Sequence, residues 1–371
     1  FLFFAQIYMH IDKIKINNFK NYNSAEISFS SKINFLYGKN GAGKTNLLDA
    51  IYYLSYGKSM INSFDLENIN HNKSFFMISG SYSNNKNYKC TFETSSTKKI
   101  FENENKYDNI KQHIGKIPLV FINPYDINLI RNYSSNRRRF FDQIFSQTDN
   151  NYLENLISYN RLLKQRNAYL KSLNSLDNID KNHIKSYDEN LITLNRYIEK
   201  IRSEEIKNFN KIFSETASKL SNENTKLNIT YYSNFKQEMD SGSFDKYLEK
   251  DFFTKKTNIG IHNDDYIFEM DKKLIKRVGS QGQQKTFIIA LRIAEFKILN
   301  ERLQTVPIML LDDVFHKLDD KKIDLLLDYL KENDFNQIII SDSIKNRLKK
   351  IEKKIKEIKI FKIVSGNVYE R

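Results

Sequence analysis

The chain has 371 residues and a formal net charge of +14, and 40% of its residues are apolar. This length and apolar content suit a folded protein of two or three domains and exclude a disordered tail. The single cysteine, Cys90, excludes a disulfide framework and a cysteine-based zinc or iron–sulfur site, and no stretch approaches the roughly 18 apolar residues that cross a bilayer. We therefore expect a cytoplasmic protein without a membrane partner.

The positive charge allows two interpretations, a solvated lysine-rich surface or a polyanionic partner. The chain is rich in Lys, Asn and Ile and poor in Gly, Pro and Trp, as an AT-rich genome would make it, so charge alone decides little. Residues 1–8 are apolar but have neither the basic region nor the cleavage site of a signal peptide. We expect them to be an upstream extension before a natural start at Met9.

Residues 38–45 match the phosphate-loop pattern G-x-x-x-x-G-K-[ST] in full. The apolar run 33–37 predicts a strand before the loop, and the apolar spacing in 46–54 predicts a helix after it. A glycine loop that opens a helix forms an anion cradle from backbone N–H groups. We expect the whole loop to bind a nucleotide, with Lys44 on the β- and γ-phosphates and Thr45 on Mg²⁺: Gly38, Lys39, Asn40, Gly41, Ala42, Gly43, Lys44 and Thr45.

A second nucleotide pattern, the N-K-x-D of GTPases, occurs at residues 105–108. In a GTPase this pattern ends an apolar strand, whereas the residues before it here are polar. We interpret it as a surface hairpin and exclude a GTPase.

The middle of the chain is helical in pattern. Apolar residues at 3–4 spacing in 152–173, interrupted by Arg166, and in 187–201 predict an antiparallel helical pair. Each seam lasts about three heptads, too short for a long coiled-coil rod. Residues 228–232 predict a strand.

A second small-residue loop, Ser280-Gln281-Gly282-Gln283, precedes a predicted helix at 284–303. Ser280, Gly282 and Gln283 are therefore candidates for a second phosphate contact. Alone, the pattern fits an ordinary helix cap at Ser280 equally well.

The apolar run 306–311 predicts a strand that ends in Asp312 and Asp313. A carboxylate at the end of a buried strand beside a phosphate loop can hold Mg²⁺, which we assign to Asp312. Asp313, one residue on, points differently and can position or deprotonate an attacking water. With Lys44, it is our candidate catalytic residue.

The phosphate loop and Asp312 lie near opposite ends of the chain, so a large insertion separates two halves of one nucleotide site. We predict an α/β nucleotide-binding fold with an inserted helical domain. The predicted domains are an ATPase lobe in two parts, residues 9–145 and 255–371, and a mainly helical insertion, residues 146–254.

The phosphate loop, the Ser280–Gln283 loop and the strand that ends in Asp312-Asp313 together resemble the ABC-type ATPase head of SMC and Rad50 proteins. More narrowly, they resemble the RecF family of bacterial recombination mediators. The resemblance extends along nearly the whole chain from Met9. Its more specific motifs are Asn18–Tyr22, Ser134–Asp142, Tyr159–Asn167, Gly260–Asp265 and Leu310–Asp319.

The resemblance implies a homodimer that closes around two ATP molecules. Lys44, Thr45 and Asp312 of one subunit would hold Mg·ATP, and Ser280, Gly282 and Gln283 of the other would close on the γ-phosphate. The chain departs from the family at His316-Lys317, where Ser-Glu is usual. It also departs from ABC transporters, because no histidine follows the strand that ends at Ser341-Asp342. This absence suggests slow hydrolysis, and we expect a weak DNA-dependent ATPase.

The expected DNA contacts are the arginine cluster Arg137, Arg138 and Arg139 together with Lys272 and Lys273, although salt bridges explain the arginines equally well. From the family, we expect a role in DNA repair at replication gaps, with RecR and RecO as partners that help to place RecA, and support of the SOS response. Two alternatives remain. One is a structural ATPase head of an SMC-like chromosome-organising complex, and the other is a transporter ATPase, which the missing histidine and the long insertion disfavour.

Overall fold

A computed structural model of the chain describes residues 6–220, 225–316, 318–332, 335–354 and 357–371. The chain divides into two compact units. The first unit contains Phe1–Asp126 and Gln281–Arg371, and the second contains Ile127–Ser280. The second unit is thus an insertion between the two parts of the first, as the sequence predicts.

The first part of the first unit contains most of its strands and one helix. In chain order these are β1 (Ile7–Tyr8), β2 (Ile11–Phe19), β3 (Tyr22–Ser28), β4 (Ile33–Tyr37), α1 (Lys44–Tyr56), β5 (Phe75–Tyr82), β6 (Asn87–Glu93), β7 (Lys99–Glu102), β8 (Asn105–Lys106) and β9 (Leu119–Ile122).

Three sequence predictions fall in this part. β4 coincides with the predicted strand, and α1 contains the predicted helix. Asn105 and Lys106 form β8, which pairs with β7 in a hairpin, so the hairpin prediction is confirmed. Of the expected upstream extension, residues 1–5 lie outside the described residues, while Ile7 and Tyr8 pair in parallel with residues 305 and 306.

The second unit consists of helices around a small sheet. Its elements are α2 (Asn128–Arg131), α3 (Ser134–Thr148), α4 (Asn150–Ser172), α5 (Lys181–Leu220), β10 (Leu227–Tyr232), α6 (Ser241–Thr254), β11 (Asp265–Met270), β12 (Lys273–Leu274) and α7 (Ile275–Val278). β10, β11 and β12 form an antiparallel sheet, which confirms the predicted strand near residue 228. In α4 and α5, Tyr152 contacts Arg202 whereas Arg166 contacts Asp188, so the two helices run antiparallel as predicted.

The second part of the first unit completes its sheets. It contains α8 (Gln281–Leu303), β13 (Thr305–Val306), β14 (Ile308–Asp312), α9 (Asp320–Glu332), β15 (Ile338–Asp342), α10 (Lys345–Lys354), β16 (Ile358–Val364) and β17 (Asn367–Glu370). α8 begins three residues earlier than the predicted helix, so Gly282 and Gln283 belong to its first turn.

The unit boundaries differ from the predicted domain limits at 145/146 and 254/255, because they fall after Asp126 and after Ser280. α3 packs against α4 and β11. β11 and β12 complete the sheet that β10 begins. Tertiary pairing therefore assigns residues 127–145 and 255–280 to the inserted unit.

Two six-stranded sheets organise the first unit. One has the order β17-β16-β4-β15-β14-β9, and its strands are parallel except for β17. β9, β14 and β15 are buried along their whole length, which is typical of parallel strands covered on both faces. The other sheet, β3-β2-β5-β6-β7-β8, is antiparallel, and α1 shares one apolar core with residues of both sheets.

This topology places the ends of three strands side by side. β15 pairs in parallel with β4 on one side and β14 on the other. The carboxyl ends of β4, β14 and β15 therefore meet at one edge of the sheet, where ligands bind in open parallel sheets. Among the described residues, no helix is long and apolar enough to cross a bilayer.

Candidate nucleotide site

The phosphate loop joins β4 to α1 at this edge. Gly41 and Gly43 have φ values of 77° and 114°, a region that favours glycine over any residue with a Cβ. The Nζ of Lys44 donates hydrogen bonds to the carbonyl oxygens of Gly38 and Lys39, at 2.9 and 3.0 Å. The loop therefore wraps around the ammonium group that the sequence assigns to the phosphates.

Groups from distant parts of the chain hold the loop. The Nδ2 of Asn21 and the backbone N–H of Gly366 both donate to the Ala42 carbonyl, at 3.2 and 3.0 Å. The hydroxyl of Tyr22 donates to the Gly43 carbonyl at 3.0 Å. These contacts explain the Asn18–Tyr22 motif physically, because two of its side chains support the phosphate loop.

The loop glycines are also needed for close packing. A Cβ on Gly38 would lie 2.4 Å from the carbonyl oxygen of Ile363 in β16, and a Cβ on Gly43 would lie 2.5 Å from the Nδ2 of Asn21. Any side chain at these two positions would displace the loop from its supports.

The predicted magnesium ligands are in direct contact. The Thr45 hydroxyl donates to Asp312 Oδ2 at 2.8 Å, although the two residues are 267 positions apart in the sequence. The Ser341 hydroxyl, at the end of β15, donates to the other oxygen of the same carboxylate. Hydroxyl and carboxylate oxygens are the ligands that Mg²⁺ prefers, so the donor set fits this ion.

The carboxylate of Asp312 is buried at the end of β14. Burial raises its pKa above the ordinary value, while the hydrogen bonds from Ser341 and Thr45 act in the opposite direction. A carboxylate in this setting is more readily ionised when a cation is next to it. Asp312 thus has the environment expected of a metal ligand.

Asp313 lies one residue further, where the strand has ended. Its φ is 46°, unusual for a residue other than glycine, and its N–H donates to the Ser341 carbonyl at 3.2 Å. The side chain of Asp313 is half-buried, whereas that of Asp312 is buried, so the two carboxylates lie in different environments. Lys317, at the departure from the family motif, lies outside the described residues.

Ser280, Gly282 and Gln283 stand at the start of α8. Ser280 is exposed and directly precedes the helix. A Cβ on Gly282 would meet the Nζ of Lys322 at 3.5 Å, an ordinary contact, so local crowding does not explain this glycine. The assignment of these three residues to a phosphate remains a prediction.

The arginine cluster divides into different environments. Arg137 is buried, its Nε and Nη2 donate to both carboxylate oxygens of Asp265, and its Nη1 donates to the carbonyls of Leu129 and Asn132. The expectation that Arg137 binds DNA is corrected accordingly, since a buried bidentate ion pair uses its guanidinium.

The neighbouring arginines are more accessible. Arg138 is half-buried and donates to the Ser134 hydroxyl and the Asp264 carbonyl, whereas Arg139 is exposed. Lys272 and Lys273 are exposed at the turn between β11 and β12. Arg138, Arg139, Lys272 and Lys273 therefore remain candidates for DNA contact.

Sequence reasoning did not assign roles to Asn21, Tyr22, Ser341 and Gly366, which support the site. Asn21 and Tyr22 lie in a motif that could have signalled them. Ser341 could have been found from its position at the end of an apolar run, next to the predicted Asp312 strand. Gly366 carries no signal of this kind, because its contact with Ala42 depends on the tertiary fold.

Comparison with known proteins agrees with this geometry. The family model described as RecF/RecN/SMC N terminal domain matches residues 10–363. The DNA replication and repair protein RecF of Cytophaga hutchinsonii is 39% identical over 363 residues, which are 97% of this chain and 96% of the relative. The RecF of Phocaeicola vulgatus is 39% identical over 372 residues, 98% of this chain and 99% of the relative.

Solved structures give the same result. The recombination mediator protein RecF-ATP in the RecFOR pathway superposes with a TM-score of 0.89 and 27% identity, covering 100% of both chains. An SMC head bound to the C-winged helix domain of ScpA has a TM-score of 0.57 and 15% identity over 98% of this chain and 97% of its own, a likeness of fold alone. The predicted ABC-type head with an insertion is confirmed, and the chain belongs to the RecF family of DNA replication and repair proteins.

Proposed function

We propose that this chain is a weak, DNA-dependent ATPase of DNA repair, and that two copies close around ATP to form a clamp on DNA. The observation that carries the proposal is the hydrogen bond from Thr45 to Asp312. It joins the phosphate loop to the carboxylate of β14 at the edge of the sheet where nucleotides bind. The relatives named for DNA replication and repair, and the solved RecF-ATP complex, support it.

Each residue has a defined task in this scheme. Lys44 would leave the carbonyls of Gly38 and Lys39 for the phosphate oxygens, and Thr45 and Asp312 would hold Mg²⁺. When bound, Mg·ATP supplies a phosphoryl group whose negative charge the metal ion partly neutralises. Asp313 would accept a proton from the attacking water at its carboxylate.

Closure requires a second copy. Ser280, Gly282 and Gln283 of one subunit would contact the γ-phosphate held by the other. The absence of a crowded Cβ position at Gly282 supports this assignment, because a glycine without a local steric reason suits the close approach of a ligand. ATP would then stabilise the dimer only, by mass action.

The proposed DNA surface belongs to the second unit and consists of Arg138, Arg139, Lys272 and Lys273. No base-reading motif is visible in the sequence, so we expect preference for a DNA structure rather than a sequence. The RecFOR pathway named for the RecF-ATP structure supports RecR and RecO as partners. Help in loading RecA and a contribution to the SOS response are expected from the family resemblance. We propose a cytoplasmic location, which suits such activities on DNA.

The proposal is tested by mass photometry with ATP, ADP or no nucleotide. The wild type should dimerise with ATP alone, and Lys44→Ala should remain monomeric because it lacks the ammonium group that meets the phosphates. Lys32→Ala is the matched control, since Lys32 is exposed just before β4 and has no assigned role in the site. A Lys44→Ala protein that dimerises like the wild type would refute the scheme.

The DNA clamp is tested on gapped DNA at increasing salt. About six phosphate contacts should give a slope of roughly −5 in a plot of log K against log salt. Lys272→Glu with Lys273→Glu should make the slope shallower by about two. A wild-type affinity that does not respond to salt would contradict DNA binding through this surface.

A further inference from the structure

Hydrogen bonds connect the beginning of α8 to the turn that follows β14. The ammonium of Lys285 donates to the backbone carbonyl of Asp313 at 3.3 Å and to that of His316 at 2.5 Å. Lys285 comes two residues after Gln283, at the start of the second turn of α8. Gln281, Gly282 and Gln283 form the first turn, Ser280 directly precedes it, and these four residues are called the Ser280–Gln283 loop. One side chain thus connects this loop with the proposed catalytic turn of the same chain.

The turn it contacts has an unusual backbone. Asp313 has a φ of 46°, and its carbonyl also accepts the N–H of His316 at 3.0 Å. The side chains of Val314 and Phe315 are buried and anchor the turn below. A charged donor on two carbonyls strengthens a conformation that a residue with a Cβ does not favour.

We propose that Lys285 is a positioning residue that couples the Ser280–Gln283 loop of each subunit to Asp313 of that same subunit. The inference rests on the proposed function, in which this loop contacts ATP held by the other subunit. When the loop engages that ATP, the first turn of α8 becomes fixed, and Lys285 fixes the Asp313 turn with it. When the loop of one subunit closes on the ATP held by the other, Asp313 of the first subunit is therefore oriented to act on that subunit's own ATP.

The consequence is that dimerisation and hydrolysis are coupled through Lys285. In the wild type, the hydrolysis rate per subunit should rise with protein concentration as the dimer forms. In Lys285→Gln, the dimer should still form with ATP, with a dissociation constant within about three-fold of the wild type. Its kcat should fall at least about ten-fold with KM nearly unchanged, because Asp313 acts after ATP has bound and its orientation is lost.

The experiment measures ATP-dependent dimerisation by mass photometry and hydrolysis across a concentration series. The set contains wild type, Lys285→Gln, Lys285→Met and Lys285→Arg, with Lys331→Gln as a matched control on an exposed lysine of α9. Lys285→Arg should recover most of kcat, since a guanidinium can donate to both carbonyls. Thermal unfolding of each variant verifies that it is folded. Two neutral replacements, Lys285→Gln and Lys285→Met, are used so that the test still stands if one of them does not fold.

Two results would overturn the inference. The first is ATP hydrolysis by Lys285→Gln and Lys285→Met within two-fold of the wild type, and the second is loss of dimerisation together with hydrolysis in these variants. The first result would mean that Asp313 needs no support, and the second would make Lys285 a general structural residue. A wild type that does not dimerise with ATP would instead refute the proposed function itself, so the two failures are distinguishable.

Discussion

The hydroxyl of Ser341 is expected to set the pH range in which the site binds Mg·ATP. It donates to Asp312 Oδ1, opposite the hydrogen bond from Thr45 to Oδ2. Ser341→Ala removes one of these two donors from a buried carboxylate whose pKa is already raised by burial. The ionised form of Asp312, which a metal ion requires, becomes less favourable.

The size of the effect follows from the contact. A hydrogen bond to a charged group contributes about 1.5–3 kcal/mol, so its loss should weaken the ionised form of Asp312 by about 10- to 100-fold relative to the protonated form and raise its pKa further. Nucleotide binding is present above this pKa and lost as the pH falls through it. In Ser341→Ala, the loss should therefore begin at a higher pH than in the wild type.

The stability of the nucleotide-free protein depends on pH in the opposite direction. Because the folded pKa of Asp312 is raised, its contribution to the free energy of unfolding is complete below its unfolded value of 3.8 and is lost as the pH rises through the folded value. Binding of Mg·ATP and stability without it should thus respond to pH in opposite directions at this residue.

A fluorescent ATP analogue, titrated at fixed Mg²⁺ from near the ordinary pKa of 3.8 up to neutral pH, measures the midpoint in each variant. Ser55→Ala is the matched control: Ser55 is also buried, but its hydroxyl donates to the uncharged carbonyl of Ile117, at 2.6 Å. An unchanged midpoint in Ser341→Ala, or an equal shift in Ser55→Ala, would refute the reasoning.

Two further predictions concern other parts of the chain. Gly366→Ala should weaken ATP binding at least ten-fold, as measured by the same analogue, because its Cβ would lie 2.5 Å from the backbone oxygen of Asn21 at a φ of 80°. Gly242→Ala should bind normally, because its Cβ would make only an ordinary contact of 3.5 Å with the Asp240 carboxylate. His262, in the second unit, has a pKa lowered by burial from 6.5 to about 4. Stability present above pH 6.5 should be lost as the pH falls towards 4, by at most about 3 kcal/mol in urea unfolding of the full chain, and His262→Gln should flatten this dependence. A wild-type slope equal to that of the variant would contradict the assignment.

The nucleotide site was predictable because its signals are local. The phosphate loop is continuous in sequence, and β4 and β14 are short apolar runs that end where the polar ligands begin. Parallel strands then bring Thr45 and Asp312 to one edge. No knowledge of the inserted unit was needed for this step.

The inserted unit was less predictable because buried charge interrupts its apolar pattern. The sequence indicates a helix that ends near Ile201, whereas α5 continues to Leu220. Arg202 is buried with ion pairs to Asp142 and Asp264, and Arg166 in α4 is buried between Asp188 and Asp251. Hydrophobic periodicity treats such arginines as breaks, although paired carboxylates stabilise them inside the unit.

The unit boundaries were missed for a related reason. The sheet of the second unit joins β10 to β11 and β12, although α6 lies between β10 and β11 in the sequence. Strand pairing over such a distance leaves no local pattern, so the predicted limits followed changes in composition instead. The support that Gly366 gives to Ala42 escaped prediction for the same cause.

The order of synthesis gives the sheet one more consequence. β4 leaves the ribosome long before both of its neighbours, β15 and β16, which follow the inserted unit in the chain. In the nascent polypeptide, β4 therefore stays without its neighbouring strands, and the phosphate loop that follows it cannot be held in place, until β15 and β16 have been made. Nucleotide affinity should therefore appear only after β15 and β16 have been made, so shorter nascent chains should not compete for ATP.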